Sequence, residues 1–92
     1  MDYCIVSKVE YIGGKVTYTP IRYIQDNAAL CDTINADYDN TLGSWVEANK
    51  AELEADTKSI SEFFDTTPLV HFARERSSTD GGFPELTDIN DL

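Results

Sequence analysis

Two alternating runs on either side of Gly13 and Gly14 constrain the fold of this chain more than any other feature. In residues 3–12 and 15–19, side chains of different character alternate, and β-branched and aromatic residues are frequent, as in β-strands. A two-residue glycine connection tolerates positive φ and is typical of hairpin turns. The chain therefore is predicted to open on two antiparallel strands.

The turn also predicts the register of this hairpin. With Ile12 opposite Lys15, one face carries apolar cross-strand pairs, namely Tyr11 with Val16 and Val9 with Tyr18. Pro20 has no N–H to give to a ladder, so we expect the second strand to break there. The alternative is an edge strand that runs on through residue 24.

Helical signals follow the hairpin. Asp26 or Asn27 is a plausible N-cap for a helix of about three turns. Residues 37–43 are predicted to form a loop. Ser44, with Glu47 three residues later, matches a capping box and predicts the start of the next helix.

The stretch 41–64 combines helically spaced apolar residues with carboxylates on its other faces. No Gly or Pro interrupts residues 44–65, so one long helix is possible. Ser59 and Glu62 equally match a second capping box, and we favour two helices with a break after Asp56 and Thr57. Thr66, Thr67 and Pro68 then stop the helix, and residues 69–73 are predicted to add a third strand to the hairpin.

These elements predict an α+β fold in which a three-stranded antiparallel sheet, the hairpin plus a later strand, packs on two to three acidic helices. Residues 1–76 form the predicted domain. Residues 77–92 are rich in Ser, Asp and Gly and are predicted to be an acidic flexible tail. The few apolar residues of this tail can still lie along the domain or along a partner.

Composition narrows the function. The 92 residues suffice for one domain, and 17 Asp and Glu against 7 Lys and Arg give a formal net charge of −10. Such a chain attracts cationic surfaces and repels phosphate, so we expect no direct binding to nucleic acid or to a membrane. The first residues have no basic, apolar leader and no apolar run is long enough to span a bilayer, which predicts a cytoplasmic protein.

The two cysteines, Cys4 and Cys31, lie in different predicted elements and have no metal-binding or redox spacing. They can form one disulfide. Because the predicted location is cytoplasmic, we favour two reduced, partly buried thiols.

Catalytic signals are weak. Asp37, Asp39 and Thr41 match the DxDxT string with which haloacid-dehalogenase-type phosphatases begin, and the resemblance implies a nucleophilic Asp after a buried strand. Residues 31–36 are not strand-like and the chain is too short for that domain, so we interpret the string as an acidic loop. His71 is the sole histidine and has no nucleophile motif beside it. We expect no enzyme activity and no cofactor.

A calcium loop is a second weak match. Asn35, Asp37 and Asp39 occupy alternate positions as in an EF-hand. Asn40 stands where the loop needs Gly, and Val46 stands where it needs Glu. We therefore expect no dedicated metal site, although opportunistic cation binding stays open.

The distribution of charge is the most informative feature. Residues 23–73 contain ten acids and two bases, so the predicted helices carry most of the excess negative charge. One interpretation is a solvated acidic face that keeps the protein soluble. The other is that carboxylates on rigid helices imitate a phosphate array and enter a Lys/Arg-lined groove. The predicted partner-binding residues are Asp37, Asp39, Glu47, Glu52, Glu54 and Asp56.

In size and acidity, the chain resembles as a class the small phage-encoded counter-defence proteins, which include anti-CRISPR, anti-restriction and other DNA-mimic inhibitors. The resemblance implies a basic nucleic-acid-binding partner, such as a CRISPR surveillance complex or a restriction enzyme, in the host cell cytoplasm. Three alternatives remain open. They are an immunity or antitoxin protein against a basic nuclease toxin, a small enzyme or metal-dependent regulator built on the loop of Asp37 and Asp39, and a structural or assembly protein.

Overall fold

The computed structural model describes residues 3–66, 70–76 and 79–92. The elements in chain order are β1 (Tyr3–Ile12), β2 (Lys15–Ile24), α1 (Ala28–Ala48), α2 (Lys50–Glu54), α3 (Ser61–Thr66), β3 (Val70–Arg76) and a 3-10 turn (Ile89–Asp91). The strands form one antiparallel sheet in the order β2-β1-β3, which confirms the predicted α+β class. The predicted helix stop at residues 67–68 and the predicted first residue of β3, residue 69, lie outside the described residues.

The hairpin has the predicted register. Tyr11 pairs with Val16, and Val9 pairs with Tyr18. The two turn glycines have φ values of 62° and 82°, a region that favours glycine. The predicted register is therefore confirmed. It could be predicted because the turn and the strand pairs beside it involve residues that are close in sequence.

The expected break at Pro20 is wrong, because β2 continues to Ile24. Pro20 pairs with Ser7, and the register shifts between Val6 and Ser7, which leaves Ile21 as the extra residue of a bulge. β2 is an edge strand in the described sheet, where a residue without an N–H is tolerated.

The helix α1 is longer than the sequence predicts. It runs unbroken for 21 residues, and the side chain of its N-cap, Asn27, accepts the Leu30 N–H at 3.1 Å. The predicted loop at residues 37–43 and the predicted helix start at Ser44 are both wrong, because all of these residues lie inside α1.

Burial explains this continuity. Tyr38, Leu42 and Trp45 recur at helical spacing and pack against Val9 and Phe63. The penalty of a glycine inside a helix is only about 1 kcal/mol, which the burial of three large side chains exceeds. Tertiary packing therefore overrides the local loop signal.

The core lies on both faces of the sheet. The first cluster contains Cys4, Val6, Ile24, Cys31, Ile34, Ala73 and Leu86. The second cluster contains Val9 and Phe63, with partly buried residues that include Tyr38, Trp45 and Phe72. Val6 and Val9 are three positions apart on one strand, so they point to opposite faces. The first half of α1 thus covers one face, its second half covers the other, and the helix passes the edge of β3.

Asn35 marks the crossing point. Its Nδ2 donates to the Ala73 carbonyl oxygen at 2.9 Å, and its Oδ1 accepts the Ala73 N–H at 2.8 Å. The side-chain amide therefore takes the place of a neighbouring strand, which closes this position of the β3 edge to another chain.

A disulfide joins Cys4 to Cys31, with their Cα atoms 6.5 Å apart. The expectation of reduced thiols is therefore wrong for this structure. The pair forms because the start of β1 and the first turn of α1 pack together in the first cluster.

The described C-terminal segment, residues 79–92, lies along the domain. The Tyr23 N–H donates to the Pro84 carbonyl at 3.0 Å, and the Leu86 N–H donates to the Tyr23 carbonyl at 2.7 Å. Leu86 is 1% exposed within the first cluster. The predicted boundary after residue 76 leaves Leu86 outside the domain, whereas the structure places it in the core, because the β2 edge offers free backbone groups beside an apolar site.

The acidic stretch after α1 is divided, as we favoured. The helix α2 ends before Asp56, whose φ is 61°, and α3 begins at Ser61. The fully buried Phe63 fixes α3 on the second cluster.

Removal of the Asn35 amide tests the edge contact. We expect Asn35→Ala to lower the free energy of unfolding by about 2 kcal/mol, because two part-buried backbone groups lose their partners. Urea unfolding measures this change. Asn40→Ala, an exposed change on the same helix, is the control and should leave stability unchanged or raised. Equal stability of the Asn35→Ala variant and the native chain would contradict the role of the clamp.

Reduction tests the disulfide. The bond closes a loop of 27 residues, so the oxidised chain should be more stable than the reduced chain by about 3 kcal/mol. Urea unfolding with and without dithiothreitol measures the difference. A Cys4→Ala, Cys31→Ala variant should not respond to the reductant. The same unfolding midpoint for oxidised and reduced native protein would refute the effect.

Candidate partner-binding surface

All six predicted partner-binding side chains are exposed. They are distributed over three segments: α1 carries Asp37, Asp39 and Glu47, α2 carries Glu52 and Glu54, and Asp56 follows α2. A partner-binding surface needs exposed side chains, and these six meet that condition. Their positions around the helix axes decide which of them share a face.

On α1, residues advance about 100° each around the helix axis. Asp39 and Glu47 then lie about 80° apart. Glu47 is about 180° from the half-buried Tyr38, whereas Asp39 is about 100° from it, at the border of the packed side. Asp37 lies about 160° from Asp39, so these two neighbours in sequence do not share a face. The predicted placement of Asp37 and Asp39 together in one loop is therefore wrong, because they occupy two separate positions on α1.

Asp32 belongs to this surface although the sequence analysis did not include it. It is exposed and lies seven residues before Asp39, about 20° away around the axis. Asp32, Asp39 and Glu47 thus form an acidic stripe along α1, about 22 Å long. The sequence signal for Asp32 is its spacing of seven residues from Asp39. This spacing places the two acids on one face only if α1 is one continuous helix.

Asp56 has a structural role as well as a charge. Its positive φ places it at the C-terminal turn of α2, where the Thr57 N–H donates to the Glu52 carbonyl at 2.9 Å and the Asp56 N–H donates to the Leu53 carbonyl at 3.3 Å. This is the bonding pattern of a Schellman motif, whose left-handed residue is usually Gly or Asn.

None of the six carboxylates is in an ion pair within the described part of the chain. Lys58 lies two residues after Asp56 in the sequence. Its Nζ donates to Asn49 Oδ1 at 2.6 Å and not to a carboxylate. The ion pair that the structure does show, Lys8 with Glu10 at 3.4 Å, lies in β1. The helix carboxylates thus keep their charge available to an outside partner.

Two carboxylates also lie where the helix dipole disfavours them. Glu47 is in the last turn of α1 and Glu54 is the last residue of α2, and neither last turn contains a base. Negative charge at a helix C-terminus is unfavourable because the carbonyl ends are already partially negative. Local rules that are broken in this way are expected at functional positions.

Two motif matches, the DxDxT string and the EF-hand positions, do not have the geometry that their chemistry needs. The DxDxT residues lie within α1 rather than after a strand, so Asp37 is not presented as a nucleophile. The EF-hand match fails as well, since residues 35–46 are helical and the Asn35 amide is bonded to Ala73. Across residues 3–66, 70–76 and 79–92, no three His, Cys, Asp or Glu side chains gather as a metal site.

No helix among these residues is long and apolar enough to cross a membrane.

The aromatic residues nearest the acidic surface are mostly packed. Tyr38 is half-buried and meets Phe72 edge-on, with ring centroids 5.9 Å apart. Burial raises the pKa of Tyr38, and Tyr18 and Asp39 add to this increase. Tyr38 therefore stays neutral and serves the second cluster more than an interface.

Comparison of the chain with protein-family models, curated protein sequences and solved structures finds no match. The function is therefore inferred from the charges, exposures and contacts of the chain itself.

The dipole argument gives a stability prediction. We expect Glu47→Gln to raise the free energy of unfolding by about 0.5 kcal/mol, because it removes a negative charge from the C-terminus of α1. Urea unfolding at low salt measures the change. Glu52→Gln is the matched control, since Glu52 lies in the first turn of α2 and should give no gain. A gain at Glu52 equal to that at Glu47 would attribute the effect to net charge alone.

Proposed function

We propose that this chain is a non-enzymatic acidic inhibitor that occupies the basic nucleic-acid-binding site of a partner protein. The observation that carries the proposal is the set of exposed helix carboxylates without ion pairs in the described residues. They are displayed on α1, which packs on the sheet, and on α2, the short exposed helix that follows it. Two of these carboxylates, Glu47 and Glu54, lie at helix C-termini, where negative charge destabilises the fold. A surface that only kept the protein soluble would not need acids at these positions.

The mechanism is occlusion. A net charge of −10 draws the chain to a Lys/Arg-lined groove, and the acidic stripe with Glu52, Glu54 and Asp56 then pairs with the basic side chains that hold DNA or guide RNA. A CRISPR surveillance complex or a restriction enzyme is the expected kind of target, which makes the chain a phage counter-defence protein.

The spacing of the stripe limits how this mimicry works. Consecutive carboxylates in the stripe are about 10–12 Å apart along α1, whereas phosphates of one DNA strand are about 3.4 Å apart along the axis. The chain therefore imitates the overall potential of nucleic acid and not its individual phosphates.

The proposed location is the host cell cytoplasm, where such targets act. A structural protein that assembles through strand edges receives less support, because Asn35 and residues 84–86 already contact backbone groups at the described edges of the sheet.

The test neutralises four helix-region acids and compares them with four others. The site variant combines Glu47→Gln, Glu52→Gln, Glu54→Gln and Asp56→Asn, the last because Asn tolerates positive φ. The control combines Asp26→Asn, Glu75→Gln, Glu85→Gln and Asp91→Asn, all exposed and outside the helices α1, α2 and α3. Both variants change the net charge by the same amount.

The measurement is displacement of labelled DNA from a purified surveillance complex and from a purified restriction enzyme, at about 50 mM and about 500 mM salt. We expect the site variant to inhibit about tenfold less well, and the control to match the native chain. Equal loss in both variants, or in neither, would overturn the assignment. Inhibition of a basic nuclease toxin in place of these enzymes would favour the immunity-protein alternative.

A further inference from the structure

A hollow lies on the sheet face that the second half of α1 covers, beside the contact of Phe72 with Tyr38. Its volume is about 70 Å³, and its lining residues come from all three strands: Ile5, Ser7, Tyr18, Phe72 and Arg74. The register explains their meeting, since β1 pairs Ser7 with Phe72 and Ile5 with Arg74. Residues at alternate positions share a face, so these side chains lie on one side of the sheet.

Ser7 is the unusual member of this group. Its side chain belongs to a residue that is only 9% exposed, and its hydroxyl has no hydrogen-bond partner among the described residues. No fully buried side-chain oxygen or nitrogen of those residues lacks a partner, so the Ser7 oxygen is accessible from outside, and Ser7 lines the hollow. A hydroxyl of this kind can donate a hydrogen bond to a ligand that enters the hollow.

Arg74 supplies the charge. It is exposed, it lines the hollow, and no carboxylate pairs with it within the described residues, although the whole chain has 17 Asp and Glu. A guanidinium presents several donors in a plane that matches a carboxylate. The hollow therefore combines a hydroxyl donor with a cationic donor group.

The size of the hollow limits what can enter. A cavity of about 150 Å³ holds benzene, so 70 Å³ admits a carboxylate with one or two carbons. Tyr18 and Phe72, with ring centroids 5.7 Å apart, form the apolar wall for those carbons. Tyr18 is 48% exposed, so it borders the opening.

We propose that this hollow is a binding site for the carboxylate head of a short organic acid. The Ser7 hydroxyl donates one hydrogen bond, and the Arg74 guanidinium pairs with the carboxylate. The site does not depend on the function proposed for the acidic helices.

The test is an NMR titration of the full-length chain with propionate at constant ionic strength, with propionamide as the neutral probe. We expect saturable shifts at the amides of Ser7, Phe72 and Arg74 with propionate and none with propionamide. Ser7→Ala and Arg74→Gln should each weaken binding about tenfold. Lys15→Gln, which removes the same charge at the exposed hairpin end, should not.

Binding of propionamide as strong as that of propionate would overturn the carboxylate assignment. Shifts that never saturate, or that weaken equally in the Lys15→Gln variant, would show non-specific ion binding and overturn the site.

Discussion

The side-chain amide of Asn35 contacts both the N–H and the carbonyl of Ala73, and the path of α1 depends on this contact. A helix usually covers one face of a sheet and needs a second helix for the other. Here one helix of 21 residues passes the sheet edge and covers part of each face. In a chain of 92 residues, where little surface can be buried, this arrangement makes one element serve two core clusters.

The hairpin could be predicted from the sequence because its causes are local. Two glycines with positive φ and the alternation around them suffice to set Tyr11 opposite Val16. The continuity of α1 could not be predicted in this way. Gly43 and the acids at positions 37 and 39 favour a loop locally, and the contacts of Tyr38 and Trp45 with the second cluster, which outweigh them, appear only in three dimensions.

The core positions of Cys31 and Leu86 also depend on distant partners. Cys31 meets Cys4 across 27 residues, and Leu86 enters the first cluster through a backbone contact with Tyr23. Nothing in the local sequence of the C-terminal segment distinguishes Leu86 from the exposed Ile89. Long-range pairing decides which apolar residue of a polar segment is buried.

For the candidate surface, exposure was predictable and arrangement was not. The acids of α1 and α2 are exposed, as their position in an amphipathic pattern indicates. Their grouping into a stripe that includes Asp32 and omits Asp37 requires the helix phase across residues 32–47. The hollow around Ser7 and Arg74 is further from prediction, since it needs the register of three strands and a bulge at once.

The disulfide joins the start of the hairpin to the first turn of α1. It therefore also affects how the oxidised chain would respond to mechanical force. Tension applied to its two termini passes directly from Cys4 to Cys31, so the residues between them carry no load. Fully stretched, those 27 backbone steps would span roughly 90 Å, and the bond replaces them with a Cα–Cα distance of 6.5 Å in the folded chain. The turn at Gly13 and Gly14, with the two strands that it joins, is thus shielded from pulling, and only the sequence beyond Cys31 can lengthen under tension.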